Sequence, residues 1–225
     1  MKIYNNEQDN KVPGFEYGLE KDYNPAIRSD ASPFEITFYQ TRESMMDVEN
    51  YRKFLDNAIA RFRKSITYTV YKSKLIDMGM DRCQLHGNIT TEMATVEMHH
   101  NILTLFDIAH IITEHILNTK GYISSFDLVV LLKQVHTSHK VQLVMLSLTP
   151  HQLYHNSEGL YIHPSMCFGN WLAFLNDYRL GITIDIANKI IMYIDESIKS
   201  PTSYDSGLLD LRKNIIDWSI YNERL

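Results

Sequence analysis

The chain has only two cysteines, Cys83 and Cys167, in 225 residues. Two thiols cannot form a disulfide framework, and this composition is typical of the reducing cytoplasm. No apolar run approaches the length of a membrane span, and the first residues lack the apolar segment of a signal peptide. We therefore expect a soluble, cytoplasmic protein without a membrane partner, folded as one large domain or one domain with an appendage.

Histidine is absent from residues 1–85 and from residues 164–225, so all ten histidines lie between His86 and His163. A single histidine on a helix is more often a packed or capping residue than a ligand. Two pairs differ from this, because their spacing constrains where the side chains lie: His99 and His100 are adjacent, and His151 and His155 are four residues apart. Because neutral imidazole is the commonest metal ligand and titrates near neutrality, the crowding favours a functional site.

Acidic residues exceed basic ones, and the formal net charge is −5, but the charge is unevenly distributed. Residues 51–75 hold seven Lys or Arg against one Asp, a net of +6. A basic segment in an acidic protein is one way to contact nucleic-acid phosphates, and the candidates are Arg61, Arg63 and Lys64. The equal alternative is that these three residues form the solvated face of a helix.

Turn-forming residues and apolar spacing divide the chain into four regions: 1–41, irregular, with a short strand at residues 35–39; 42–80, helical; 81–160, a mixed core; and 161–225, helical. The helix of the second region is expected to end near Lys64. Residues 66–71 are rich in β-branched and aromatic residues and favour a strand, although the helix could continue through them.

The mixed core is predicted to contain two strands separated by a helical insertion at residues 103–139. The first strand, within residues 92–100, ends in the His99–His100 pair, and the second covers residues 141–148. Thr149 and Pro150 are then expected to open a short helix that carries His151 and His155. Gly121 and the Ser124–Asp127 segment are expected to end and begin the two inserted helices, and three more helices are expected near residues 169–178, 183–197 and 208–221.

These spacings predict one composite site. Residues four apart lie on the same helix face, so His151 and His155 can point at one spot. At the end of a strand, twist can turn one histidine of the adjacent pair toward a metal and leave the other beside it. A divalent cation with a neighbouring imidazole base suits phosphodiester hydrolysis, because the base activates water and the cation neutralises developing charge.

The segments Val96–His100 and Val141–His155 resemble the first strand, and the second strand with the metal helix, of the HNH (ββα-metal) nucleases. They are most similar to the colicin-type DNases. The resemblance implies that His99 and His151 bind a divalent metal (Mg, Mn, Ni or Zn), that His100 is the general base, and that His155 is a ligand or a phosphate contact. It also implies DNA as the partner.

Three features depart from the nuclease pattern. Gln142 replaces the asparagine that steadies the loop carrying the base, and the two halves of the motif are 51 residues apart. The segment around Cys83 and His86 resembles a Cys-x-x-Cys-Gly knuckle, half of a structural zinc site, but no second cysteine pair exists. The segment from Phe168 to Phe174 resembles segments of bacteriophage proteins, which implies a phage origin.

The sequence therefore predicts an α+β, predominantly helical protein with a ββα-metal core, a β-hairpin plus helix whose two strands are separated by the helical insertion. The predicted function is a metal-dependent DNA endonuclease. A zinc peptidase is disfavoured because Gln152 stands where such enzymes need a glutamate. The remaining alternative is a non-catalytic binding or structural protein that keeps the metal-binding scaffold. A buried His100 that is hydrogen-bonded to the backbone would favour it.

Overall fold

The computed structural model describes residues 39–155, 161–199 and 205–222, and the side chains of residues 153–155, 205–207 and 221 lie outside the description. The described residues form an α+β fold that is mostly helical, as predicted. The helices are α1 (Val48–Arg63), α2 (Ile66–Asp77), α3 (Leu105–Lys120), α4 (Ser125–Thr137), α5 (Leu148–His155), α6 (Trp171–Asp177), α7 (Ile184–Ser197) and α8 (Asp205–Asn222). The strands are β1 (Tyr39–Thr41), β2 (Val96–His100), β3 (Tyr122–Ser124) and β4 (Leu143–Ser147).

The strand predicted at residues 66–71 is wrong, because this segment is the start of α2. The side chain of Ser65 accepts a hydrogen bond from the Tyr68 backbone N–H and caps the helix. Tyr71 and Leu75, four residues apart, then bury on one face of the helix. Capping and a buried helical face together outweigh the strand preference of the β-branched residues.

The helical insertion has clear start and stop signals. Thr104 with Asp107, and Ser124 with Asp127, form reciprocal capping boxes at the first residues of α3 and α4. Gly121 ends α3 in the left-handed region, with φ at 83°. Between the two helices, β3 pairs antiparallel with β1. The predicted strand at residues 35–39 is described only from Tyr39, which begins β1, and the rest of region 1–41 before Tyr39 lies outside the described residues.

The β-hairpin-plus-helix arrangement is present as expected. Strands β2 and β4 pair antiparallel, with His99 opposite Val144 and His100 opposite Leu143, and α5 follows β4 directly. Both faces of β4 are buried, because Leu143 belongs to the main core whereas Val144 and Leu146 form a second cluster with Ile162. This two-sided burial explains the uninterrupted apolar run of the strand.

The main core lies among α1, α3, α4, α7 and α8. Its fully buried side chains include Leu55 and Phe62 of α1, Ile111 of α3, Leu132 of α4 and Ile190 of α7. No helix in the described residues is long and apolar enough to cross a membrane. The boundaries of the four regions predicted from the sequence stay predictions.

Gly181, in a short 3-10 turn at Arg179–Gly181, lies directly on the backbone of α3. A Cβ atom there would sit 1.8 Å from the carbonyl oxygen of Ile111. We expect Gly181→Ala to lower the free energy of unfolding by about 2 kcal/mol or more, because backbone must move to admit the methyl group. Urea titration followed by circular dichroism measures this change.

Gly87→Ala is the matched control, because a Cβ atom there meets nothing within 4 Å. Its free energy of unfolding should change by no more than about 0.5 kcal/mol. Equal stability of the two variants would contradict the close approach of Gly181 to α3.

Candidate functional site: two histidine pairs on one strand

Strand β2 sends its two histidines in opposite directions. Successive side chains of a strand alternate between its faces, so His99 shares a face with Glu97 while His100 shares the other with Met98. The ring centroids of His99 and His151 are 5.1 Å apart, and those of His100 and His136 are also 5.1 Å apart. His99 and His100 therefore contact different partners on opposite faces of the strand and do not share one site.

The outer pair, His99 and His151, joins β2 to α5. His151 Nδ1 donates a hydrogen bond to Glu97 Oε2 over 2.9 Å. The His99 and His151 rings meet edge to face, with 72° between their planes. Because α5 continues directly from β4, its first turn brings His151 over the neighbouring strand. Glu97 was missed by the sequence reasoning, although its spacing of two from His99 places both side chains on one strand face.

The inner pair, His100 and His136, joins β2 to α4. The two Nε2 atoms are 2.8 Å apart, and His136 Nδ1 lies 2.7 Å from the carbonyl oxygen of Leu132. A carbonyl only accepts, so His136 carries its proton on Nδ1 and its Nε2 accepts the proton of His100 Nε2. The ring of Phe62 lies 4.6 Å from that of His136.

Both inner imidazoles are uncharged near neutral pH. Burial lowers the pKa of His100 well below its ordinary value, and its neighbours His136, His99 and Arg63 act in the same direction. Burial also lowers the pKa of His136 to about 4, although the carbonyl of Leu132 opposes the shift. Two neutral rings with a matched donor and acceptor can be buried without an unpaired polar atom.

His100 is not exposed in the way that the predicted general base would have to be. Only 9 % of its surface is exposed, and its Nε2 proton is donated to His136. The expected twist at the end of β2 does not occur, because pairing with β4 continues through His100 and preserves the alternation of side chains. His100 therefore faces the protein interior.

Gln142 stands where the nuclease pattern has the asparagine that steadies the loop carrying the base, but its described contacts are with other residues. Gln142 is buried, and its Oε1 accepts from Asn101 Nδ2 over 3.3 Å. Asn101 Nδ2 also lies 2.6 Å from the hydroxyl of Tyr193 on α7, and that hydroxyl donates to the Ile162 carbonyl. Gln142 thus belongs to a buried polar network centred on Asn101. The sequence gives no signal for Asn101 beyond its position directly after the histidine pair.

The remaining predicted metal-site residues are His155, Cys83 and His86. The His155 side chain is outside the described residues. Cys83 is buried, whereas His86 is exposed. The pKa of the Cys83 thiol is lowered: burial raises it, but hydrogen bonds from Ser147 and from the backbone of His86 and Leu85 lower it by more. Across the described part of the chain, no three His, Cys, Asp or Glu side chains come together as a metal site.

The three predicted phosphate-contacting residues are exposed at the end of α1. Arg61 and Arg63 lie in its last turn, and Lys64 is the residue that caps its C-terminus. Arg61 Nη1 donates to Ser125 Oγ at 3.4 Å, which brings it to the beginning of α4. None of the three contacts the outer histidine pair in any described hydrogen bond or ion pair.

The depressed pKa of His136 makes stability depend on pH. Its folded pKa of about 4 lies below the value of about 6.5 for an unfolded histidine, so the unfolded chain binds the proton more readily. The resulting contribution to the free energy of unfolding is at most about 3 kcal/mol. It is fully present above about pH 6.5 and is lost as the pH falls toward 4. We expect His136→Gln to flatten the loss of unfolding free energy across that range, as measured by urea titration at several pH values.

His86→Gln is the matched control, because it removes an exposed imidazole. It should keep the pH dependence of the wild type. A His136→Gln variant whose stability falls with pH as steeply as that of the wild type would contradict the buried neutral pair, whatever its stability at neutral pH.

Comparison with known proteins corrects the predicted function. No curated protein and no solved structure matches this chain. The family described as bacteriophage G278-like virion protein matches residues 2–220. This match confirms the predicted phage origin, but a family of virion proteins points away from an enzyme, so the prediction of an HNH-type endonuclease is wrong. The match covers nearly the whole sequence, and the chain belongs to the bacteriophage G278-like virion protein family.

Proposed function

We propose that this protein is a non-catalytic structural component of the bacteriophage particle. The observation that carries the proposal is the burial of His100 against His136, which removes the predicted base from the surface that a substrate would contact. The family description, which names a virion protein, supplies the setting.

The contacts of the β2–β4 hairpin support a structural role. One face of the hairpin reaches α4 through the His100–His136 hydrogen bond. The Asn101 network reaches α7 through Tyr193, and Leu143 exchanges two backbone hydrogen bonds with Phe168. A unit that is hydrogen-bonded to several separate elements of the fold rigidifies the molecule, which suits a protein that must keep its shape in an assembly.

The particle role predicts that the protein copurifies with intact phage. Density-gradient-purified particles should contain it in fixed stoichiometry after a high-salt wash, as measured by quantitative mass spectrometry. Detection of the protein only in the soluble lysate would contradict the proposal. Metal-dependent cleavage of plasmid DNA by the purified protein would contradict its non-catalytic part.

We also propose that the outer pair can hold a divalent cation as a structural link. Glu97 accepts from His151 Nδ1, and this places the lone pair of the neutral His151 ring on Nε2. A carboxylate behind a ligating histidine is the usual support of such a ligand. His99 and His151 would then bind the ion, with His155 as the predicted third ligand, and the ion would join β2 to α5.

This cation site predicts graded losses of affinity in titrations with Zn²⁺ and Ni²⁺. His151→Ala should abolish specific binding, and Glu97→Gln should weaken it by about tenfold because only the support of the ligand is removed. His115→Gln on α3, whose ring packs against Tyr178, is the control and should bind like the wild type. Equal cation affinity in wild type and His151→Ala would rule out the site, while the particle role would stand.

A further inference from the structure

The segment between Asp56 and Asp77 holds five basic residues and no acidic one. All five are exposed: Arg61, Arg63, Lys64, Lys72 and Lys74. Among the residues that the structure describes, none of them forms an ion pair. Their positive charge is therefore not neutralised by the described part of the protein.

The first half of α1 provides an internal contrast. Lys53 Nζ lies 2.8 Å from Glu49 Oε1, and Arg52 Nε lies 3.9 Å from Asp56 Oδ2. These pairs are exposed and contribute little to stability, but they neutralise the charge of that part of the helix. The uncompensated charge on α1 thus begins only at Arg61.

Four of the cations extend around the junction of α1 and α2, and we call Arg61, Arg63, Lys64 and Lys72 the basic surface. Lys72 Nζ lies 5.6 Å from the centre of the Tyr68 ring. Arg63 acts electrostatically on the same residue, because its positive charge opposes the rise that burial produces in the pKa of the Tyr68 phenol. Tyr68 therefore interacts with two cations of the basic surface.

On the other side, Arg61 extends toward α4. Its guanidinium lies 5.2 Å from the centre of the Phe126 ring, and 58 % of Phe126 is exposed. A planar cation and an exposed aromatic ring offer a surface suited to phosphates and unstacked bases. An acidic protein partner would use the charge but has no need for this combination.

We propose that the basic surface binds nucleic acid through its phosphate backbone. A protein with a formal net charge of −5 is repelled by a polyanion unless its positive charge is concentrated, as it is here. The contacts are to phosphate, so binding is insensitive to base sequence and depends steeply on salt. This inference is independent of the cation site and of where the protein lies in the particle.

The test uses the full-length protein and two charge-matched double variants of α1. Arg63→Gln with Lys64→Gln removes an adjacent Arg–Lys pair from the basic surface, and Arg52→Gln with Lys53→Gln removes the neutralised pair upstream. Affinity for a short DNA duplex and for a single strand of the same length is measured by fluorescence anisotropy over a range of salt concentrations. Thermal melts check that both variants fold.

The basic-surface variant should lose about tenfold in affinity at low salt, and its slope of log affinity against log salt should flatten by about 2, since each phosphate contact contributes about 0.9. The control should retain wild-type affinity and slope. Tighter binding to the single strand than to the duplex would indicate that the aromatic rings stack on bases. Equal affinities would indicate contacts to phosphate alone, and both outcomes support the proposal.

Three outcomes would overturn it: no binding of the wild type to either DNA, equal losses in the two variants, or displacement of DNA by polyglutamate at equal charge concentration. The last result would assign the basic surface to an acidic protein partner.

Discussion

Backbone pairing between β2 and β4 continues through His100, which lies opposite Leu143, and this pairing fixes the directions of both adjacent histidines. While the strand stays paired, alternation places His99 on the α5 side and His100 on the α4 side. The loss of pairing needed to bring both rings to one face would unmake ladder hydrogen bonds at buried positions, at a cost of about 1–3 kcal/mol for each unsatisfied group. The placement of the two histidines on opposite faces of β2 therefore determines which ring each of them contacts.

The chain after β2 is held by polar contacts that a simple apolar core would not supply. Asn101 is almost fully buried and joins Gln142 and Tyr193, two residues from distant parts of the sequence. The next residue, Ile102, adopts a φ of 56°, a conformation that a β-branched side chain rarely adopts. Strain of this kind persists where the surroundings determine the backbone from several sides, and the Asn101 network and the ladder of β2 do so here.

Local signals made much of the fold predictable. The capping residues Thr104 and Ser124 and the terminating Gly121 act within a few residues of the helices that they bound, so the sequence alone reveals α3 and α4. The start of α2 was misjudged because its helical state depends on burial of Tyr71 and Leu75, which is a tertiary effect. The arrangement of the histidines could not be predicted from the sequence for a related reason. Spacing identified His99, His100 and His151, but the partner of each ring depends on which element packs on which face of β2.

The helical insertion explains why a nuclease-like order of elements is compatible with a virion protein. The 51-residue separation between His100 and His151 departs from the nuclease pattern, and α4 lies within it. That helix contributes His136, whose Nε2 accepts the proton of His100. The inserted helix that lengthens the spacing is therefore also the element that buries His100. The same insertion brings Phe126 and Ser125 to Arg61, so α4 packs on one side of the hairpin and also contacts the basic surface.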